Sequence, residues 1–312
     1  MDILFIDTTD PYLWDTLVGQ GHNCTLDNTS AKKELQQSLH MYDGFIIRSR
    51  FKIDREFIDA GTKLKFIARV GAGLENIDCE YAASKGIKLI SAPEGNRQAV
   101  GEHAVGMLLA LMRNILVADS EVCHGKWIRE GNRGYEINGR TVGIIGYGNM
   151  GSSFARCVSG FGPEEVLAYD IKPGDYSDDY ARSATMDELF EKADIVSLHV
   201  PLTNLTRGMI NGEFFSRFKK PIYFINTARG ACCVTEDLVT AIREGRVTGA
   251  ALDVLEYEKS SFEDFFTGTL PDAFTFLIDS PRVVLTPHIG GWTHEANRKM
   301  AEAIIRKIGD IG

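Results

Sequence analysis

The chain has 312 residues, 44% of them hydrophobic, which is enough for a large buried core and, by length, for about two domains. A formal net charge of −9 argues against nucleic acid or an anionic membrane surface as the main partner, so an acidic ligand needs a local basic pocket. Six cysteines (Cys24, Cys79, Cys123, Cys157, Cys232 and Cys233) show no C-x-x-C or zinc-like spacing. They read as free thiols of a cytoplasmic protein, and no metal site is expected.

The first residues enter a strand directly, DILFID, without a basic leader or cleavage signal, so no targeting segment is expected. The longest apolar run, 104–112, is too short to span a bilayer. CTLDN, GFIIRS, LKFIARVG and IKLISAP read as further strands, with helices over 12–18, 53–60 and 81–85 between them. That alternation predicts a parallel sheet covered on both faces. From residue 96 the pattern becomes one long apolar helix over 97–122, bent or frayed toward its end. It is too apolar for a solvated helix and must pack on a core or a partner subunit. The polar, aromatic stretch 124–138 reads as an exposed arm.

A second α/β unit begins at Arg140. Its strands are TVGIIG, EVLAYD, ADIVSLHV, PIYFINTA and TGAALDVL, with RVVLTPH as a sixth. The acidic, phenylalanine-rich stretch 258–281 reads as a loop with a short helix over apolar surface. The last helix, 294–308, returns to the first domain.

The second unit opens on TVGIIGYGNMGSSFA, where an apolar β-branched run leads into Gly146, Gly148 and Gly151 and then a helix. The first glycine permits the tight turn, the second the close approach of backbone to a pyrophosphate, the third the packing of helix on strand. Asn149 and Met150 lie at the helix start, whose N–H groups and dipole favour phosphate. Asp170 follows Gly151 by 19 residues at the end of a second strand, where a ribose-binding acid is expected. Its carboxylate favours NAD over NADP, although Lys172 stands two residues on. Three further residues sit at strand ends, Arg229, Glu258 and His288, spaced 29 and 30 residues apart. Singly they have ordinary readings as a surface ion pair, a solvated acid and a structural histidine. Together they supply a cation for a carboxylate, a proton carrier and a partner that favours its charged form.

RSRFKID, ARVGAGLENID, APEGN with AVGEHA, GIIGYGNMG, SLHVPLT, INTARG, GAALDV and TPHIGG occur in one order along almost the whole chain. In this the chain resembles the D-isomer-specific 2-hydroxyacid dehydrogenase family. The resemblance implies an α/β fold of two doubly wound parallel-sheet domains. A Rossmann NAD-binding domain (95–286) is inserted into a flavodoxin-like substrate domain (1–94 and 287–312), with a cleft between. It places the catalytic arginine, glutamate and histidine on Arg229, Glu258 and His288. NAD contacts fall on Gly146, Gly148, Asn149, Met150, Gly151, Asp170, His199, Val200, Pro201, Thr206, Thr227, Ala228, Asp253 and Gly290. Backbone N–H groups of Ala72, Gly73 and Leu74, together with Asn96 and Arg229, are implied around the substrate carboxylate. A two-fold homodimer through the long helix and the arm is implied as well.

Arg48, Arg69 and Arg129 stand where family members acting on 3-phosphoglycerate carry basic residues, and Arg50 and Arg133 add to the patch. The expected substrate is therefore 3-phosphoglycerate or 3-phosphohydroxypyruvate, as in serine biosynthesis, with glycerate, hydroxypyruvate or glyoxylate as the alternative. Neither a regulatory domain after the last helix nor feedback by serine is expected. Lys259 and Trp292 depart from the family pattern, where proline and a small residue are common, and both bear on the substrate. The reading from another class is an NADH-sensing corepressor-like scaffold.

Overall fold

The computed structural model describes residues 1–258 and 270–311. The expected stretch 259–269, with Lys259, lies outside the described residues. The chain divides into two compact units: Met1–Arg97 with the stretch from Trp292, and Gln98–Glu258 with the stretch ending at Gly291. The second crossing thus falls after Gly291, five residues beyond the expected 286. The backbone N–H groups of His288, Ile289 and Gly290 bond to Asp253, which ties that loop to the second unit.

In the first unit five strands, β1 (Asp2–Phe5), β2 (Asn23–Leu26), β3 (Gly44–Ile47), β4 (Phe66–Arg69) and β5 (Lys88–Ile90), form a parallel sheet in the order β2-β1-β3-β4-β5. This is the flavodoxin-like order. The crossing helices Pro11–Gly19, Arg55–Ala60 and Cys79–Ser84 are started by side chains that accept an orphan N–H: Asp10 from Tyr12, Asp54 from Phe57 and Asp78 from Tyr81. An additional helix, Lys32–Ser38, has no apolar stripe to reveal it, since Leu35 is its one buried residue; the Glu34 carboxylate accepts from the Ala31 N–H at its start. One face of the sheet packs on Leu13, Leu17 and the C-terminal helix His294–Gly309, the other on Leu35, Phe57 and Ile58. Gly95 lies against the Met300 backbone so closely that a Cβ would stand 2.6 Å from its nitrogen.

The second unit has seven parallel strands: β6 (Thr141–Ile145), β7 (Glu165–Tyr169), β8 (Arg182–Ser183), β9 (Ile195–Leu198), β10 (Ile222–Asn226), β11 (Val247–Leu252) and β12 (Val283–Leu285). Their order is β12-β11-β10-β9-β6-β7-β8, so the sheet reverses direction of growth between β6 and β9. That is the Rossmann order extended by one strand, and its reversal point is where such sheets open a crevice at the carboxyl ends. The two-residue β8 is too short to leave a pattern in sequence. The long apolar stretch is two helices, Pro93–Met112 and Ile115–Cys123, bent by 62°. Asn114 makes the break with φ 52, a left-handed conformation that asparagine tolerates better than most residues. Among the described residues no single helix is long and apolar enough to cross a membrane. The short helix expected in 258–281 is Asp272–Asp279, which buries Ala273, Phe274 and Leu277.

Ile304, fully buried on the C-terminal helix, tests that this helix completes the first unit. Ile304→Ala is expected to cost about 2–5 kcal/mol. Amide hydrogen exchange should show reduced protection in β1 and β3 and unchanged protection in β6 and β9.

Candidate active site

The loop after β6 carries the three glycines. Gly146 has φ 92, and a Cβ there would stand 2.6 Å from the carbonyl oxygen of His199, at the end of β9 across the reversal point. A Cβ on Gly151 would collide with the Gly146 carbonyl. Around Gly148, by contrast, nothing lies within 4 Å of such an atom, and Gly148 caps the helix Asn149–Ser159 with no side-chain hydrogen bond. Two glycines are thus demanded by packing and one by open space. That space sits at a helix N-terminus, the setting a pyrophosphate requires. The residues present fit a dinucleotide.

Asp170 ends β7 and reaches back to this loop. Its Oδ2 accepts from the Tyr147 N–H (2.7 Å) and its Oδ1 from the Lys172 N–H (3.0 Å). Each oxygen keeps a lone pair for a ribose hydroxyl. The Tyr176 hydroxyl accepts from the Asp170 N–H, and the Tyr147 hydroxyl donates to Asp178, so the acid is set by two tyrosines with no evident sequence signal. His199 is half-buried, with Nε2 2.8 Å from Ser197 Oγ and its ring against Phe154; desolvation of the imidazole pushes it down to about 3, so it stays neutral. Val200 and Pro201 continue from it, and the Thr206 hydroxyl donates to the Pro201 carbonyl (2.6 Å), closing that loop. The Thr227 hydroxyl, after β10, is buried with no partner among the described residues.

Arg229, Glu258 and His288 follow three neighbouring strands, β10, β11 and β12. Asn226 shapes the arginine turn, accepting from the Ala228 N–H and donating to the Arg229 carbonyl. Arg229 itself donates to the Ala228 carbonyl at 2.6 Å. A Cβ on Gly230 would collide with the Leu255 carbonyl, and the Thr235 N–H donates to Glu256, so this turn packs on the segment leading to Glu258. Glu258 Oε1 accepts from the Leu255 N–H (2.5 Å), and Oε2 lies 2.6 Å from His288 Nδ1. The two side chains are 16% and 24% exposed, buried enough to strengthen the pair and open enough to meet a ligand.

His288 has φ 56, rare for a residue with a Cβ. It is held there by Asp253, which is 2% exposed. Asp253 Oδ1 accepts from Thr286 Oγ1 (2.5 Å) and the Ile289 N–H (2.9 Å), and Oδ2 from the Gly290 N–H (2.8 Å). His103 Nε2 stands 3.0 Å from Thr286 Oγ1 and 3.3 Å from Asp253 Oδ1. Burial alone would raise the Asp253 carboxyl, but His103, Thr286 and the two N–H groups outweigh it and hold the group below the usual carboxylate range. Asp253, expected among the cofactor contacts, thus has this internal part in addition. His103 and Thr286 were not singled out by the sequence reading. The available signal was an ionisable residue inside the apolar run AVGEHAVGMLL.

The first unit holds the other expected contacts. Asp7 Oδ2 accepts from the N–H groups of Arg48, Ser49 and Arg50 (2.6, 3.1 and 3.4 Å). Arg50 donates to the carbonyls of Ile6, Asp27 and Ser30. Arg69 donates to the carbonyls of Arg48 (3.0 Å) and Gly73 (2.8 Å), which fixes the loop of Ala72, Gly73 and Leu74. Arg48 lies 4.4 Å from the centre of the Trp292 ring. Asn96 Oδ1 is buried without a partner among the described residues. In the second unit, Arg129 is exposed in the arm beside Trp127 and Ile128, and Arg133 pairs with Glu130.

Residues 105–290 match the family model described as D-isomer specific 2-hydroxyacid dehydrogenase, NAD binding domain. A hydroxypyruvate reductase of Thermotoga maritima is 38% identical over 89% of this chain and 87% of its own length. A D-3-phosphoglycerate dehydrogenase of Bacillus subtilis is 34% identical over 88% of this chain; the match spans 50% of that longer protein. The solved D-lactate dehydrogenase of Lactobacillus jensenii with NAD+ superposes with a TM-score of 0.80 at 28% identity, covering 98% of this chain and 95% of the other.

The contrast among the glycines yields a test. Gly148→Ala should leave the melting temperature within a degree or two, since its methyl meets nothing, yet weaken NADH binding about tenfold or more in a fluorescence titration. Gly151→Ala should lower the melting temperature as well, because the Gly146 turn must shift.

Proposed function

The chain belongs to the D-isomer-specific 2-hydroxyacid dehydrogenases, and from that premise we propose that it interconverts a small unphosphorylated 2-keto acid, of the hydroxypyruvate or glyoxylate type, with its D-2-hydroxy acid. The observation that carries the chemistry is the 2.6 Å contact between Glu258 Oε2 and His288 Nδ1, one strand over from Arg229. With Nδ1–H given to the carboxylate, the tautomer is set, and Nε2 is the ring nitrogen that exchanges a proton with the substrate. In reduction the imidazolium donates to the ketone oxygen; in oxidation the neutral ring takes the hydroxyl proton. The bound nicotinamide supplies or accepts the hydride. Arg229 binds the substrate carboxylate and polarises the neighbouring carbonyl.

The choice of an unphosphorylated acid is supported by the use already made of the arginines. A phosphoryl group carries close to two charges and calls for several guanidinium donors at once. Arg50 is committed to three carbonyls and Arg69 to two, and Arg48 packs on Trp292. The reductase from Thermotoga maritima, covered over 87% of its length, agrees with this choice. The second reading is oxidation of 3-phosphoglycerate, for serine biosynthesis; it is favoured by the relatives of that name, of which this chain spans about half. For a partner, we propose a second copy of the chain on the exposed apolar residues Ile115, Leu116, Val122 and Trp127, the last 81% exposed. A cytoplasmic location accords with cysteines that form no disulfide among the described residues.

Replacing His288 by alanine should lower kcat by about 10²–10⁴-fold, while NADH titration remains near wild type. A variant with near-normal turnover removes His288 from the chemistry. Steady-state kinetics with hydroxypyruvate and phosphohydroxypyruvate decide the substrate class. The expected kcat/KM is higher for hydroxypyruvate, and a clear preference for the phosphorylated acid selects the second reading.

A further inference from the structure

We propose that His103 is a positioning residue for the catalytic histidine, acting through Thr286 and Asp253 to hold the His288 loop in its left-handed turn. The inference rests on the functional reading above for its kinetic test, and on geometry alone for its structural one.

The direction of each hydrogen bond follows from the donors available. Thr286 Oγ1 has a single proton, and Asp253 Oδ1 at 2.5 Å is an obligate acceptor, so the hydroxyl donates there. His103 Nε2, 3.0 Å from the same hydroxyl, must then be the donor, which fixes the Nε2–H tautomer. His103 thus donates to Thr286, Thr286 to Asp253, and Asp253 accepts in turn from the N–H groups of Ile289 and Gly290. The Asp253 carbonyl also accepts the N–H of His288 itself at 2.8 Å. Asp253 therefore grips the turn on both sides of the Cα that carries the imidazole. Gly290 is the third part of the fit, because a Cβ there would stand 2.9 Å from Asp253 Oδ2 and 3.4 Å from the His103 ring.

A non-glycine residue at φ 56 persists only when its neighbours over-determine it. Here the neighbours are one buried carboxylate and the two side chains that orient it. His103 is anchored on the helix Pro93–Met112, whose Ala104, Met107 and Leu108 are buried in the core of the same unit. A loop at the edge of the sheet is thereby referenced to a rigid element. Loss of the His103 donor lets the Thr286 hydroxyl rotate and Asp253 relax, and the imidazole then samples orientations in which Nδ1 leaves Glu258.

Four variants test this: His103→Ala, His103→Gln, Thr286→Val and the double His103→Ala/Thr286→Val. The expected result for His103→Ala is a fall of about tenfold in kcat, with KM and the NADH dissociation constant within about twofold of wild type. His103→Gln, which keeps a donor at a similar reach, should recover most of that loss. Thr286→Val should resemble His103→Ala, and the double variant should be no slower than the slower single, because both break one chain. In ¹⁵N spectra of histidine rings, the His288 Nδ1 resonance should move in His103→Ala and return in His103→Gln. An unchanged kcat in His103→Ala, failure of glutamine to restore it, additive losses in the double variant, or an unmoved His288 resonance overturns the inference. If the wild-type protein turns over no 2-keto acid, the functional reading fails, and the ring resonances still decide the positioning role.

Discussion

The active-site end of the second unit depends on the Asp253 carboxylate. A left-handed turn at a residue with a Cβ costs about 1–3 kcal/mol, and it survives only where its surroundings supply at least that much. Asp253 does so with a carboxylate that accepts from Thr286, Ile289 and Gly290 and a carbonyl that accepts from His288. An ionised group so deeply buried is itself costly unless its lone pairs are met. Both requirements are satisfied by the same bonds. The loop gives the carboxylate its donors, and the carboxylate gives the loop its shape. From that turn follows the imidazole's direction, and from the direction the meeting of Nδ1 with Glu258.

The sheet spaces the site. Gly146 and His199 mark the reversal point between β6 and β9, and the loops of Arg229, Glu258 and His288 continue along the same carboxyl edge. Four steps of about 4.8 Å, roughly 19 Å in all, lead from β6 to β12. A ligand with a phosphate at the first and a reacting ring further along this edge must be extended across several strands, as a dinucleotide is.

Much of this was legible in the sequence where a physical constraint acts on consecutive residues. The strand, the three glycines and the helix are local, and so is the offset to Asp170. Arg229 and His288 stand just past the apolar runs of β10 and β12 and so show as strand-end residues, whereas Glu258, further beyond β11, takes its place from the family resemblance. What stayed hidden is what depends on tertiary contact. His103 reads as one polar residue in an apolar helix until Thr286, 183 positions away, stands beside it. The helix Lys32–Ser38 buries one leucine and so has no period to detect. The break at Asn114 needs a positive φ that no neighbouring glycine advertised. Two-residue β8 exists because β7 offers it an edge, and nothing in Arg182 and Ser183 themselves demands it.

The arginines carry the same lesson in the opposite direction. In sequence, five guanidiniums near one another in the family pattern look like a site for a doubly charged group. In the fold, a guanidinium is also the best donor for several carbonyls at the end of a loop, since its planar fork can serve more than one acceptor without reorganising. Arg50 bridges the carbonyls of Ile6, Asp27 and Ser30, which come from the ends of β1 and β2, and Arg69 bridges those of Arg48 and Gly73, from the ends of β3 and β4. In each case the cation neutralises the dipoles of two loops and fixes their spacing. Had either been free of such carbonyls, its charge would have been available to a ligand, and the patch reading would have gained. Because these part-buried carbonyls would lose their donors, an arginine spent this way is not readily released to a substrate. The count of basic residues near a site thus overstates the N–H donors it can offer an anion by those already given to backbone.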